Sequence, residues 1–337
     1  MNKKATINDV ARLAGVGKTT VSRVFNTPEL AGSETVKRVL DAARSLGYKP
    51  SPIARALNDT KSRTISLVVP NVESSTMAEI IRGALQYLTE RGYSLLVLDS
   101  SENYATERDY FYLLQERMTD GVIFCHGSAK ERMEALRDLM PVVFVESDTV
   151  RDDIDQVLVD GVDAFRKLFS YLMSQGFLVE DIAVVFGKDD SFSRLRQRQC
   201  RVVLEELGQE LSPSNVIFGN WRAEDGYEAM KELLALRKRP GVVVYLSDVM
   251  ALGGMRAAHD LGFKLPEDLS VVGFNDARFS AYYQPSLTTL VYKSDELGVI
   301  AAKQILNRLK NPDLPVQKDV LMTDMLIRES VISKKIK

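Results

Sequence analysis

The sequence predicts a small all-α helix-turn-helix head followed by an α/β core of two doubly wound parallel-sheet lobes. Three observations carry that expectation. Residues 1–63 hold 12 Lys/Arg against 5 Asp/Glu, while the remainder holds 32 against 41, and the net charge of the chain is −2. The basic part has apolar residues at helical spacing, with a glycine turn between its first two stripes. From Thr64 onward short apolar runs alternate with amphipathic segments, the pattern of a parallel sheet covered by helices on both faces. A domain takes roughly 150 residues, so a body of this length divides into two lobes. A basic head on an acidic body is the asymmetry of a small module that meets a polyanion.

Taken in order, Thr6 is placed to cap a first helix, with Asp9 three positions on, and Ile7, Val10, Ala11 and Ala14 form its apolar stripe. Gly15-Val16-Gly17 stops it. A second short helix starts near Lys18, buries Val21, Val24 and Phe25, and ends at Asn26-Thr27-Pro28. The third starts at about Ser33, with Val36, Val39, Leu40 and Ala43 on one face and Gly47 as its stop. These make a head over residues 1–49. Residues 50–63 form a basic linker with few apolar groups, in which Pro52–Leu57 has the makings of one or two helical turns. So short a helix is marginal alone in water and is expected to depend on a partner.

In the body, strands are expected at Ile65–Val69, Leu95–Leu98, Val122–Cys125, Val142–Val145, Ile182–Phe186, Val242–Leu246 and Val271–Phe274. Helices are expected at Met77–Arg91, Thr106–Arg117, Asp163–Ser174, Arg194–Leu207, Asp225–Leu236 and Asp248–Leu261. Open parallel sheets bind ligands beyond the carboxyl ends of their strands, so two lobes place their sites face to face across a cleft.

Several function classes drop out. No apolar run is long enough for a transmembrane helix. The opening MNKKATINDVARLAG has no apolar segment and no cleavage site of a secretory signal, which points to the cytoplasm. Cys125 and Cys200 have neither disulfide-framework nor metal-ligand spacing. Gly17-Lys18-Thr19 ends like a phosphate loop, but Arg12 stands where the first glycine of that motif belongs. With two histidines, His126 and His259, and no nucleophile or metal motif, no enzyme, cofactor or metal is expected. His126 follows a strand without a catalytic partner pattern, and His259 lies on an outward helix face.

In a helix-turn-helix the N-terminal residues of the second helix lie nearest the base edges of the major groove. Here these are Lys18 and Thr19, with Arg23 one turn on, the last suited to the O6/N7 pair of guanine. Thr6, Thr20, Ser22 and Asn26 carry hydroxyl or amide groups suited to phosphates.

DVARLAGVGKTTVSRVFN resembles the head of the lactose/galactose repressor (LacI/GalR) family. GYKPSPIARAL resembles its hinge, and DVMALGGMRAAHDLGFKLPEDLSVVGFND, QPSLTTL and LIRES resemble its later segments. The resemblance implies a periplasmic-binding-protein-like body joined by three crossovers. The first lobe then takes 64–161 plus 291–320, and the second takes 162–290 plus 321–332. It implies a homodimer on a near-palindromic DNA operator, with paired hinge helices in the minor groove, Leu57 wedged between base steps and Arg55 along the same groove.

It further implies a small effector between the lobes, a sugar or sugar derivative, with repression relieved by ligand; corepression is the alternative. A transport-type sugar-binding protein is disfavoured by the basic head and the missing leader. Arg196 matches the family's cleft arginine. Arg198 is a competing match, because Gln199-Cys200 replaces the usual Gly-aromatic pair. Asp248 and Asn275 follow predicted strands and are candidate partners for ligand hydroxyls. Trp221, the only tryptophan, either packs or stacks on a sugar face. In the first lobe, Ser75, Thr76 and Met77 replace the family's Pro and aromatic pair. That substitution argues against a planar purine and leaves hydroxyl contacts from Ser74 or Thr76. Cys125, His126 and Glu146 end two further strands and are candidates to line the cleft. The C-terminus lacks a heptad tail, which argues against a coiled-coil tetramer.

Overall fold

A computed structural model describes residues 5–26, 28–48, 62–101, 103–116, 119–125, 136–146, 152–188 and 191–334. The chain divides into two compact units, Met1–Ser62 and Arg63–Lys337. The hinge candidates Arg55 and Leu57, and the cleft candidate His126, lie outside the described residues.

The first unit holds α1 (Ile7–Ala14), α2 (Lys18–Asn26) and α3 (Ser33–Ser45). The start of α1 is tied by the Asp9 carboxylate, which accepts from the Thr6 N–H at 2.9 Å and from the Thr6 hydroxyl at 2.7 Å. Gly15 ends the helix at φ 64, a left-handed conformation that costs glycine little. Val10, Ala11, Ala14, Val21, Val24, Val39, Ala42 and Ala43 make the head's own core, with Ile7, Phe25, Val36 and Leu46 packed around it. Fully burying a valine stabilises by about 1.5–3 kcal/mol, so a few such side chains hold the three helices together. Leu40 departs from expectation and is exposed. Helix α3 turns Val39, Ala42 and Ala43 inward, and a residue one position past Val39 is rotated about 100° out of that stripe.

The second unit is built on two six-stranded sheets. β1 (Thr64–Val69), β2 (Ser94–Asp99), β3 (Gly121–Cys125), β4 (Val142–Val145), β5 (Asp155–Val159) and β11 (Lys318–Leu321) run in the order β11-β5-β4-β3-β1-β2, with every pairing parallel. β6 (Ile182–Gly187), β7 (Val216–Gly219), β8 (Val242–Tyr245), β9 (Ser270–Phe274), β10 (Thr288–Val291) and β12 (Asp324–Leu326) run β12-β10-β9-β8-β6-β7. Only the β10–β12 pairing there is antiparallel.

The alternation of side chains along the first sheet feeds two separate cores, as covered faces require. Ile65, Leu67, Ile123 and Val143 join Ile80 and Leu88 of α4 (Ser75–Thr89) and Ala301 of α10 (Ser294–Lys310). Their neighbours Val68, Val122, Phe124 and Phe144 join Phe111 and Leu114 of α5 (Tyr104–Gln115). Helices α4 and α10 touch backbone to backbone. A Cβ on Gly83 would fall 2.0 Å from the Asp295 carbonyl oxygen, so only glycine fits there. On the second sheet lie α6 (Gly161–Ser174) and α7 (Ser191–Glu206), tied by Arg166–Glu206, and the closely packed pair α8 (Ala223–Ala235) and α9 (Asp248–Asp260).

The seven strands read from the sequence are present to within a residue at either end. The alternation read there stops at Phe274, whereas the chain goes on to form β10, α10, β11 and β12. β5 and β7 also escape a search for apolar runs. β5 opens on Asp155 and Gln156, both buried. Arg308 of α10 donates to Asp155 at 2.8 and 3.0 Å, and Gln304 donates to the Gln156 carbonyl at 3.2 Å. A polar start to a buried strand is intelligible only once its distant partner is known.

Candidate functional site

On α2, Val21 and Val24 face the head's core, which leaves Lys18, Thr19 and Arg23 exposed and Thr20 and Ser22 half-buried. Lys18 and Thr19 open the helix, where its free N–H groups also favour anions. Thr6 is exposed at the N-terminus of α1, its hydroxyl donated to Asp9, and Asn26 is the last residue of α2. The arrangement presents one short helix with a cationic, hydroxyl-bearing outer side.

In the body, the two lobes meet through a buried ion pair. Glu146 directly follows β4 of the first lobe, and Arg196 sits on α7 of the second; they are 2% and 1% exposed. Nη2 of Arg196 donates to Oε2 of Glu146, and the N–H of Val159 donates to Oε1 at 2.6 Å. Glu146 takes φ 54, a left-handed backbone that a side chain tolerates only when its surroundings over-determine it. Burial pushes its carboxyl above the ordinary value, while Arg196 and the Val159 N–H pull it back down. The carboxyl and the guanidinium are thus in direct contact, each almost wholly shut off from solvent. Nη1 of Arg196 donates to Oε1 of Gln199 at 2.6 Å. A Cβ on Gly161 would lie 2.1 Å from that oxygen and 2.6 Å from Nη1, so the start of α6 needs glycine to pass so close.

Aromatic rings complete this joint. The centroids of Phe192 and Tyr292 lie 4.4 and 4.7 Å from Cζ of Arg196, within cation–π range. Phe192 in turn contacts Trp221 at 5.6 Å, and the Trp221 ring lies over the backbone of Gly187. Trp221 is half-buried at φ 66. A pocket of about 430 Å³ opens at the carboxyl ends of β6 and β7, lined by Lys188, Gln197, Phe218, Gly219 and Asn220. Nearer solvent, a second interlobe pair joins Glu79 of α4 to Arg278, which follows β9, at 3.0 Å.

The remaining candidates are scattered around this centre. Asp248 is buried at the start of α9, and its carboxylate accepts from the Ala277 N–H at 2.6 Å and from the hydroxyls of Ser280 and Thr289, each at 2.7 Å. That carboxylate therefore braces the second lobe internally, with burial raising it to about 6. Asn275 is half-buried at φ 98 at the end of β9. Ser74 stands at the N-cap position of α4 without a capping bond from its side chain, and Thr76 lies in the first turn, both half-buried. Cys125 belongs to the first lobe's apolar core, where burial pushes its thiol far up. Arg198 is exposed, unlike Arg196, and His259 is 81% exposed on α9.

Sequence reasoning missed Phe192, Gln199, Tyr292, Glu79 and Arg278. Only Gln199 left a signal, as the residue standing where the family pattern has glycine. Among the described residues no group of His, Cys, Asp or Glu is arranged to hold a metal, and no helix is long and apolar enough to cross a membrane.

A helix-turn-helix head on a body of two parallel-sheet lobes, with a polar joint between those lobes, defines a class: DNA-binding regulators with an effector domain. The pattern of bacterial regulatory proteins of the lacI family matches residues 6–51, and that of periplasmic binding protein-like domains matches 169–331. The HTH-type transcriptional regulator RegA of Clostridium saccharobutylicum is 30% identical over 331 residues, which span 97% of this chain and 99% of RegA. The HTH-type transcriptional repressor PurR of Mannheimia succiniciproducens is 31% identical, over 97% of this chain and 98% of its own length. Among solved structures, a complex of the transcriptional regulator CelR with cellobiose has a TM-score of 0.72 at 26% identity, over 97% of this chain and 99% of that one. The lac repressor dimer bound to operator and the anti-inducer ONPF reaches a TM-score of 0.88 at 24% identity, over 98% and 100%, a likeness of fold. The chain belongs to the lacI family: it is a DNA-binding transcriptional regulator with an effector-binding body, and not an enzyme.

Proposed function

We propose that this regulator is a cytoplasmic repressor of carbohydrate-utilisation genes, released from its operator by a small sugar or sugar derivative bound between the lobes. The observation that carries the reading is the Glu146–Arg196 joint, which puts a guanidinium, two rings and a fixed carboxylate where the lobes meet. A site with several polar groups and aromatic faces suits a polyhydroxyl ring. Arg196, Glu146, Trp221 and Asn275 form the effector set, with Ser74 and Thr76 contributing from the first lobe. Asp248 and Cys125 hold the frame. Ser75, Thr76 and Met77 bring no aromatic platform to α4, which speaks against a planar purine as corepressor.

Two chains would read a near-palindromic operator, with Lys18, Thr19 and Arg23 of each head at the base edges and Thr6, Thr20, Ser22 and Asn26 on phosphates. Arg55 and Leu57 of paired hinge segments would occupy the minor groove at the centre. The effector shifts operator affinity only by its differential affinity for two arrangements of the lobes, and the coupling is reciprocal. The test is selection of bound sites from random duplexes, followed by a thermal-shift screen of sugars against the purified protein. A two-fold symmetric site and a sugar that both raises Tm and weakens operator binding are expected. A ligand that strengthens operator binding would establish corepression instead, and absence of any preferred duplex would refute the reading.

A further inference from the structure

Arg196 already holds a counter-ion. Its charge sits against Glu146, and Glu146 cannot easily turn away, because its other oxygen is held by the Val159 N–H and its backbone by the bond from its own N–H to the Val157 carbonyl at 2.9 Å. We propose that Glu146 is a built-in anionic partner of Arg196, which makes the interlobe site accept an uncharged polyhydroxyl effector and exclude phosphorylated or carboxylated ones. The inference rests on the cleft reading above and adds the charge of the ligand to it.

The unused hydrogen-bonding capacity points the same way. Nη1 of Arg196 is taken by Gln199 and Nη2 by Glu146, while buried Nε has no partner among the described residues. The Tyr292 hydroxyl, on the ring beside the same guanidinium, is also buried and unpartnered among them. Nε and the hydroxyl are thus polar groups with no bond of their own, and a buried polar group without a partner is costly. Alcohol oxygens suit both, since a hydroxyl can accept from Nε and can either accept from or donate to the tyrosine. The charge of a phosphate or carboxylate would lie beside the Glu146 carboxylate in a site with little water to screen the repulsion. Glucose and glucose 6-phosphate should therefore differ in kind here and not merely in degree.

Trp221 supplies the readout, since it is the sole tryptophan and touches Phe192, which in turn touches Arg196. The full-length protein is titrated with inorganic phosphate and with glucose 6-phosphate at constant ionic strength while tryptophan emission is followed. The wild type should show no saturable response to either. Glu146→Gln keeps the size of the side chain and one of its two acceptor positions but frees the charge of Arg196, and should bind inorganic phosphate roughly tenfold or more tightly than the wild type. The double variant Glu146→Gln/Arg196→Gln removes both charges and should lose that response.

A wild type that binds phosphate as well as Glu146→Gln does, or a folded Glu146→Gln that ignores phosphate, overturns the proposal. Should Glu146→Gln fail to fold, wild-type thermal shifts decide: a phosphorylated sugar that raises Tm where its uncharged parent does not refutes the assignment. A wild type unmoved by every uncharged sugar, alongside a phosphate-binding Glu146→Gln, counts against the effector reading but leaves the role of Glu146 standing.

Discussion

The head and the interlobe joint are both built from charged residues, yet they use charge in opposite ways. On α2, Lys18 and Arg23 stand in solvent on a helix whose inner side alone is packed. At the joint, Arg196 is shut away with a carboxylate, an amide and two rings. An exposed cation is inexpensive to keep and ready to release counterions from a polyanion, which suits DNA. A buried cation is tolerable only when its partners are fixed. The comparison teaches that one chain keeps some of its cations in water and withdraws another from it, and on the function proposed above the first arrangement serves a polyelectrolyte and the second a small molecule.

The sharpest way to break that contrast is Arg196→Ala. It leaves Glu146 buried without a counter-charge, and the body should lose about 3–5 kcal/mol of stability in denaturant titration. The head has its own core and should keep its helices, so simultaneous melting of both units would undo the distinction. Next comes acidity. Asp248 has its carboxyl raised from 3.8 to about 6 by burial, so the folded body binds a proton that the unfolded chain has already released. Its contribution to stability is present below about pH 4 and is lost as pH rises through 6, a difference on the order of 3 kcal/mol. Asp248→Asn should flatten that slope in pH-dependent calorimetry, whereas no head variant should.

Arg23→Ala should cost about 1–3 kcal/mol of specific operator binding in fluorescence anisotropy, with Tm and non-specific binding nearly unchanged. Equal losses on specific and random duplexes would remove its base-reading role. The smallest effect is expected at the rim. Glu79→Gln breaks the pair with Arg278, which is 77% exposed, and should shift stability by less than about 1 kcal/mol, vanishing at high salt. A larger shift there would mean that the outer pair shares the work of the buried one.

Legibility in the sequence follows the same divide. The head's helices begin at Lys18 and Ser33, where capping and glycine signals place them, because a helix start is set by residues within a turn of it. Leu40 shows the limit: apolar spacing admits it to the core, but only the packing of α3 decides which edge of the stripe turns inward. In the body, strands made of aliphatic runs are plain, while β5 and β10 hide behind buried polar residues whose partners lie far along the chain. Thr289 of β10 donates to Asp248, and Arg308 of α10 holds Asp155 of β5. The site was legible in part. Residue type and position along the chain bring forward both Arg196 and Arg198, and only the fold shows that the first is buried and the second exposed. Nothing local in Phe192 or Tyr292 marks them as flanking one guanidinium.

Composition and periodicity by themselves determined a basic three-helix reader ahead of alternating strands and helices, since those patterns depend on neighbours three or four positions away. What the tertiary structure decided is which charges lose their water. That depends on two lobes closing over residues 50 positions apart, Glu146 and Arg196, and no short-range rule of spacing contains it.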